Sequence, residues 1–236
     1  MYMSCVKARG KLKTRLMAPF SDNTQDTPPL RIGDIVPRFA ARSTQGAIDL
    51  ADYDDRWFIL FAHPADFTPV CTSELIELAK AEADFAALDC ALIGHSVDSL
   101  YSHLAWLRAI HELSGVKVGF PLVEDPSMEI ARAYGMMSCD AADATTVRTT
   151  YFIGPGGILH ASICYPLNVG RSIPEMLRLV KALQEAERND ALAPANWQPG
   201  DALLRDPEET IGKVLSDSKA NDWFYSPFRA GGRDGQ

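Results

Sequence analysis

The run Trp57 to Ala62 reads WFILFA and is followed at once by His63, Pro64 and a loop that closes on Pro69 and Cys71. Six apolar residues between polar neighbours are too few for a helix of ordinary length and suit a buried strand. Beyond Cys71, Leu75, Leu78 and Ala79 recur at spacings of three and four, and Phe85 with Ala86 continues the same stripe. That spacing predicts an amphipathic helix running on past residue 80. Two prolines in the connecting loop restrict both themselves and the residues before them, so the backbone has few options there. A strand, a stiff loop and a helix that starts near Cys71 set the frame for the rest of the chain.

A cysteine in the first turn of a helix sits beside free amide N–H groups and the positive end of the helix dipole, which favour thiolate over thiol. An ordinary thiol, with a pKa of ~8.5, is only about 3% ionised at neutral pH, so full ionisation gains at most roughly thirtyfold in rate. Efficient thiol chemistry therefore also needs groups that stabilise charge as it develops. Thr68, three residues before Cys71, supplies a hydroxyl in that position. The competing reading is a buried cysteine that fills a small apolar gap.

The remaining pattern is that of an α/β protein. Residues 31–39, with Gly33 and Pro37, suit a short edge element, and Ala47 to Leu50 a short strand. Cys90 to Gly94 is a second strand-type run, and Leu100, Leu104, Leu107 and Ile110 form a helical stripe within 99–110. Strand, helix, strand, helix is the alternation that pairs strands in parallel. Val118 to Val123 suits a short strand, and Ser127 to Tyr134 a short helix closed by Gly135. Thr149 to Ile153 and Ile158 to Tyr165 are β-rich runs joined by GPGG, a hairpin signal. Ser172 and Glu175 form a capping box with Pro174 in the first turn, opening a helix whose stripe is Ile173, Met176, Leu177, Val180 and Leu183 and which stops near Arg188.

With 236 residues, 47% of them hydrophobic, the chain suits one large domain with an appendage. A formal charge of −8 argues against a nucleic-acid partner, which needs a basic face. No apolar run approaches the ~18 residues of a membrane span. The cysteines, Cys5, Cys71, Cys90, Cys139 and Cys164, contain no C-x-x-C pair and are odd in number, which favours a reducing, cytoplasmic setting. His63, His95, His103, His111 and His160 lack ligand spacing, so no metal is expected, and no cofactor motif stands out.

Residues 1–29 form a basic tail and a polar linker: Lys7, Arg9, Lys11, Lys13 and Arg15 precede the first acidic residue, Asp22, and DNTQDTPP follows at 22–29. A tail is the reading preferred here, with organellar import as its alternative. Residues 30–188 carry the globular pattern. Residues 189–236, with Pro194, Pro199, Pro207, Pro227, Trp197 and Trp223, have too little periodic apolar sequence to fold alone, so their aromatics need a partner surface.

Pro64, Thr68 and Cys71 spell P-x-x-x-T-x-x-C, and HPADFTPVCTSEL as a whole resembles the active-site loop of peroxiredoxins, in particular the one-cysteine type with a long C-terminal extension. The resemblance spans about residues 30 to 228 and continues in SVDSLYSHLAW (96–106), RTTYFIGPGG (148–157) and YPLNVGRSIPEMLRLVKAL (165–183). It implies a thioredoxin-like α/β fold with a C-terminal extension domain, and a homodimer, with higher rings of dimers open, in which that extension reaches a second subunit. Packing against its own domain is the alternative.

The resemblance also assigns residues. Arg148 begins a strand, where an arginine is ordinarily solvated, but it matches the family's active-site arginine, a planar fork of donors that never loses its proton. Arg171 matches a further arginine near that site. The implied reaction is attack of the Cys71 thiolate on a peroxide held by Thr68, Arg148 and the helix amides, giving sulfenic acid and water or an alcohol. His63 would orient the substrate or a reducing partner and Glu74 would hold Arg148; otherwise both are solvated loop charges. The external reductant would be glutathione, thioredoxin or a similar thiol.

Archaeal relatives carry two further cysteines near a segment like ANDWFYSP (220–227), where this chain has none, so one-cysteine chemistry is expected, with Cys139 as the alternative resolving thiol. The G-x-S-x-G stretch tied to phospholipase activity in some relatives is replaced here by Asp54, Asp55, Arg56 and Trp57, and that activity is expected to be absent. A holdase or redox sensor built on the same dimer is the rival to an enzyme.

Overall fold

A computed structural model describes residues 30–137, 146–216 and 222–229. Cys5, Cys139 and the basic tail lie outside them. The elements run β1 (Ala40–Ser43), β2 (Gly46–Asp49), β3 (Trp57–Ala62), α1 (Pro69–Lys80), α2 (Glu82–Ala87), β4 (Cys90–Ser96), α3 (Leu100–Ser114), β5 (Leu122–Glu124), α4 (Glu129–Ala133), β6 (Arg148–Gly154), β7 (Ile158–Tyr165), α5 (Ile173–Asn189), β8 (Leu203–Leu204), α6 (Ile211–Ser216) and β9 (Pro227–Phe228).

Seven strands form one mixed sheet in the order β2-β1-β5-β4-β3-β6-β7. The β3–β4 and β4–β5 pairs are parallel, while β6 runs antiparallel to both β3 and β7. All six residues of β3 are buried because the strand is covered on both sides. Trp57, Ile59 and Phe61 face a core shared with α1, α2, α3 and α5, and Phe58, Leu60 and Ala62 face a second core that includes Ile130, Ala131 and Tyr134 around α4. Period-two alternation in a fully apolar run thus serves two cores at once. Gly94 of β4 fits between Leu122 and Phe61 because it has no Cβ.

Several expectations shift. The helix after Cys71 breaks at Ala81 into α1 and α2, which buries Phe85 and leaves Ala86 exposed. In α3 the buried face is His103, Trp106 and Ile110 rather than the leucine stripe, and Leu104 is 44% exposed. That rotation aims a histidine and an indole at the loop before α1. β1 is a strand of sequence AARS with no apolar signal, and β5 is only Leu122–Glu124, although Val118 and Phe120 are buried beside it. The edge element expected at 31–39 is a single bridge between Ile35 and Ile158.

The hairpin of β6 and β7 and the start of α5 follow the sequence reading, with Ser172 Oγ accepting from the Glu175 amide at 3.4 Å. Past α5, Trp197 is buried against Ala182 and Leu203 of its own chain, the packing held as the alternative for this segment. Trp223, Phe224 and Tyr225 stand exposed. No helix among the described residues is long and apolar enough to cross a membrane.

Candidate active site

The end of β3 and the first turn of α1 converge on Cys71. Thr68 is the N-cap, in extended conformation at φ −97°, and Pro69 takes the first turn, where its missing N–H costs nothing. The loop between is held tightly: Phe67 adopts φ 56°, the Asp66 amide donates to Asp98 Oδ2 at 2.9 Å, and Thr72 Oγ1 donates to the Thr68 carbonyl at 2.7 Å. Trp106 Nε1 reaches Thr72 Oγ1 at 3.2 Å and ties α3 to the same turn. Pro64 is buried within this loop. The Thr68 hydroxyl donates to the Ala65 carbonyl at 2.9 Å, so its oxygen is left to accept rather than to donate.

Cys71 is fully buried, and its sulfur receives a hydrogen bond from Arg148 Nη1 at 3.2 Å. The same nitrogen lies 2.8 Å from Glu74 Oε2, and Arg148 Nη2 donates to the Leu167 carbonyl at 2.9 Å. Glu74, one helical turn after Cys71 and on its face, also accepts from the Arg171 amide at 2.9 Å and from Arg171 Nη1 at 3.3 Å. Arg171 Nη2 closes on the Ala62 carbonyl at the end of β3. Two cations and one carboxylate therefore surround a buried sulfur, and the net positive charge favours an anion there. Burial pushes the Arg171 guanidinium down to about 10, with Glu74 opposing that shift and Arg148 adding to it. Neither Glu74 nor Arg148 is a solvated charge.

Cys90, in contrast, is buried without such donors, and desolvation pushes its thiol up to about 12. Cys164 is exposed on β7, near Thr149 Oγ1 at 3.6 Å. His63 is wholly buried, with Nε2 2.8 Å from Asp66 Oδ1. His103 Nδ1 lies 2.8 Å from Asp66 Oδ2.

Two of the histidines that looked scattered in the sequence thus meet in space, since ligand-type atoms of His63, Asp66 and His103 all lie within 4.8 Å of one another. The 2.8 Å contacts are hydrogen-bond distances, so the three side chains form a histidine–aspartate–histidine hydrogen-bonded chain. Asp66 and His103 were missed by the sequence reading. The H-x-x-D spacing was a signal for the first; nothing local announced the second.

The AhpC/TSA family model matches residues 32–162, more than half of the chain, and a second model, the C-terminal domain of 1-Cys peroxiredoxin, matches residues 182–217. The chain belongs to the peroxiredoxins. Peroxiredoxin 2 of Picrophilus torridus is 43% identical over 187 residues, covering 79% of this chain and 92% of that protein. Among solved structures, a yeast mitochondrial 1-Cys peroxiredoxin, described for its thiol-resolving mechanism via glutathione and thioredoxin systems, superposes with TM-score 0.76 at 33% identity, covering 85% of this chain and 100% of that one. A cysteine-to-serine mutant of peroxiredoxin 6 of Arenicola marina gives TM-score 0.72 at 34% identity, covering 78% and 87%. The fold is thioredoxin-like with a C-terminal extension, and this peroxiredoxin is a thiol-dependent peroxidase, an antioxidant oxidoreductase rather than a binding protein alone.

Proposed function

We propose that Cys71 is the sulfur that performs this peroxidase reaction, on hydrogen peroxide and organic hydroperoxides, with Arg148, Thr68 and Pro64 forming the site and Glu74, Arg171 and His63 supporting it. The observation that carries the reading is the 3.2 Å contact of Arg148 Nη1 with a fully buried Cys71 sulfur. A guanidinium so placed stabilises the thiolate and then the charge that grows on the peroxide oxygens. The Thr68 oxygen, whose own hydrogen is taken by the Ala65 carbonyl, is an acceptor at the start of the helix, and Pro64 shields the loop from water. Glu74 holds both guanidinium groups in place, and His63 orients the substrate.

The product is Cys71 sulfenic acid, which an external thiol of the glutathione or thioredoxin kind reduces. Exposed Trp223, Phe224 and Tyr225 support a homodimer in which residues 189–236 contact a second subunit, beyond the catalytic domain at 30–188 and the basic tail and linker at 1–29. Free Cys71, Cys90 and Cys164 support a reducing, cytoplasmic setting.

Mass spectrometry after one equivalent of peroxide, with dimedone as trap, tests the assignment. A Cys71 adduct in good yield is expected, and Cys71→Ser should abolish turnover while serine at Cys5, Cys90, Cys139 or Cys164 leaves most of it. Turnover at the wild-type rate in Cys71→Ser would overturn the reading. A Cys71–Cys139 crosslink would replace the one-cysteine cycle by an internal disulfide.

A further inference from the structure

We propose that Asp66 and His103 are positioning residues of the reaction: together they hold His63 as its Nε2–H tautomer and leave Nδ1 bare to take a proton from the bound peroxide. The proposal rests on the reading that Cys71 attacks that peroxide. Its geometry is a chain of three buried side chains from two elements. His63 Nε2 lies 2.8 Å from Asp66 Oδ1, and His103 Nδ1 lies 2.8 Å from Asp66 Oδ2. His103 Nε2 faces the Val123 carbonyl at 3.3 Å. The His63 and His103 side chains are 0% exposed and that of Asp66 is 2% exposed.

A carboxylate and a carbonyl only accept, so the nitrogens that face them carry the hydrogens. Burial lowers the proton affinity of His63, and although Asp66 opposes this, His103 and Arg171 add to it, which keeps the ring neutral. A neutral imidazole has one N–H; here it belongs to Nε2, and Nδ1 keeps its lone pair. Nδ1 is buried with no hydrogen-bond partner among the described residues. Buried acceptors are seldom left that way, and on the loop that leads into Cys71 this one calls for a partner that arrives with the substrate. Arg171 joins the two by contact: its Nη2 closes on the carbonyl of Ala62, the residue before His63, and its Nη1 shares Glu74 Oε2 with the Arg148 nitrogen that reaches the Cys71 sulfur.

Two histidines on one carboxylate have a purpose in this scheme. An Asp66 facing His63 alone would draw a second proton onto that ring and block Nδ1. His103 shares the charge and prevents this. Around the pair stand Asp66 on the loop, His103 on α3, Arg171 before α5, Asp98 on the Asp66 amide and Glu124 acting on His103.

The step balances. The Cys71 thiolate attacks the near oxygen, the S–O bond forms, and the O–O bond breaks with its electron pair leaving on the far oxygen. The proton of the attacked oxygen passes to His63 Nδ1 and then to the departing oxygen. Thiolate and hydroperoxide become sulfenate and water or alcohol, the ring regains its tautomer, and the sulfenate takes a proton from solvent to give the neutral sulfenic acid.

Ring-nitrogen NMR of the resting full-length protein reads the tautomer directly. A single neutral Nε2–H form of His63 is expected, and either an Nδ1–H form or a charged ring at neutral pH would overturn the proposal whether or not any variant folds. In His103→Leu, the pH at which the rate of peroxide attack is half-maximal should rise by on the order of one unit, while the thiolate absorbance of Cys71 titrates as before. His103→Asn, whose amide can stand in for Nδ1–H, should restore the wild-type profile. Asp66→Asn should slow attack on the order of 10²-fold at an unchanged thiolate fraction. A His103→Leu profile that does not move, or an Asp66→Asn loss that only follows the thiolate, also overturns it. Failure of the Cys71 assignment reads out separately, as turnover by Cys71→Ser.

Discussion

Arg148 donates from Nη1 to the Cys71 sulfur at 3.2 Å, joining residues 77 positions apart. Arg148→Met keeps the length of the side chain and removes the donor. The expected loss in the rate of peroxide attack is on the order of 10²–10³, against a ceiling of roughly thirtyfold from ionisation alone. Stopped-flow kinetics beside a thiolate titration separate the two, and a loss that stays within the ionisation ceiling would refute a direct role for Arg148 in the transition state.

Glu74 is the anion that lets two guanidinium groups share one buried space. Removing one partner of such a buried arrangement costs about 3–5 kcal/mol, because the remaining charges are left uncompensated. Glu74→Gln should therefore lower the denaturant midpoint strongly and slow peroxide attack at the same time. Unchanged stability would mean that the two arginines find other partners when the carboxylate is gone.

Acid should weaken the fold in two steps. Burial depresses the proton affinity of folded His63, so below about 6.5 the unfolded chain takes up a proton that the folded one refuses, and stability falls. Burial would raise the Asp66 value, but hydrogen bonds from His103 and His63 outweigh it and hold the carboxyl below its usual range. Its contribution is present above about 4 and is lost as pH falls further. Urea midpoints measured from pH 7 to pH 3 should decline throughout, and His63→Phe should flatten the upper part of that decline. A wild-type midpoint that held steady down to pH 5 would contradict the first step.

Gly94 tests the packing beneath the site. A Cβ there would overlap Leu122 Cδ2 and meet the Phe61 ring at 3.0 Å, and both side chains are fully buried. Gly94→Ala should cost about 1–3 kcal/mol through overpacking, read as a lower denaturant midpoint. A neutral result would show that Leu122 can turn aside freely.

Strand β3 was legible because six apolar residues in a row can only be buried from both sides, and the start of α5 because Ser172, Pro174 and Glu175 are local signals. The break at Ala81 was not, since the apolar stripe runs through it and the chain simply turns to seat Phe85. Nor was the face of α3: leucines at helical spacing outvoted His103 and Trp106, whose burial depends on the loop they contact. Of the site, Cys71, Thr68, Pro64 and Arg148 were named from a motif, whereas the pairing of Asp66 with His103 links positions 37 apart and exists only in the folded chain.

Arg148 holds more than the sulfur: through Nη2 it also grips the Leu167 carbonyl, in the segment between β7 and α5. The clasp on that segment therefore depends on the charge of Cys71. On the proposed assignment the guanidinium has an anion to stay beside while the sulfur is a thiolate, and once oxygen has been transferred and the protonated sulfenic acid is neutral, part of that attraction is gone. On that reading the site would carry its own timing, its flanking segment held while it waits for a peroxide and held less firmly once it needs a thiol.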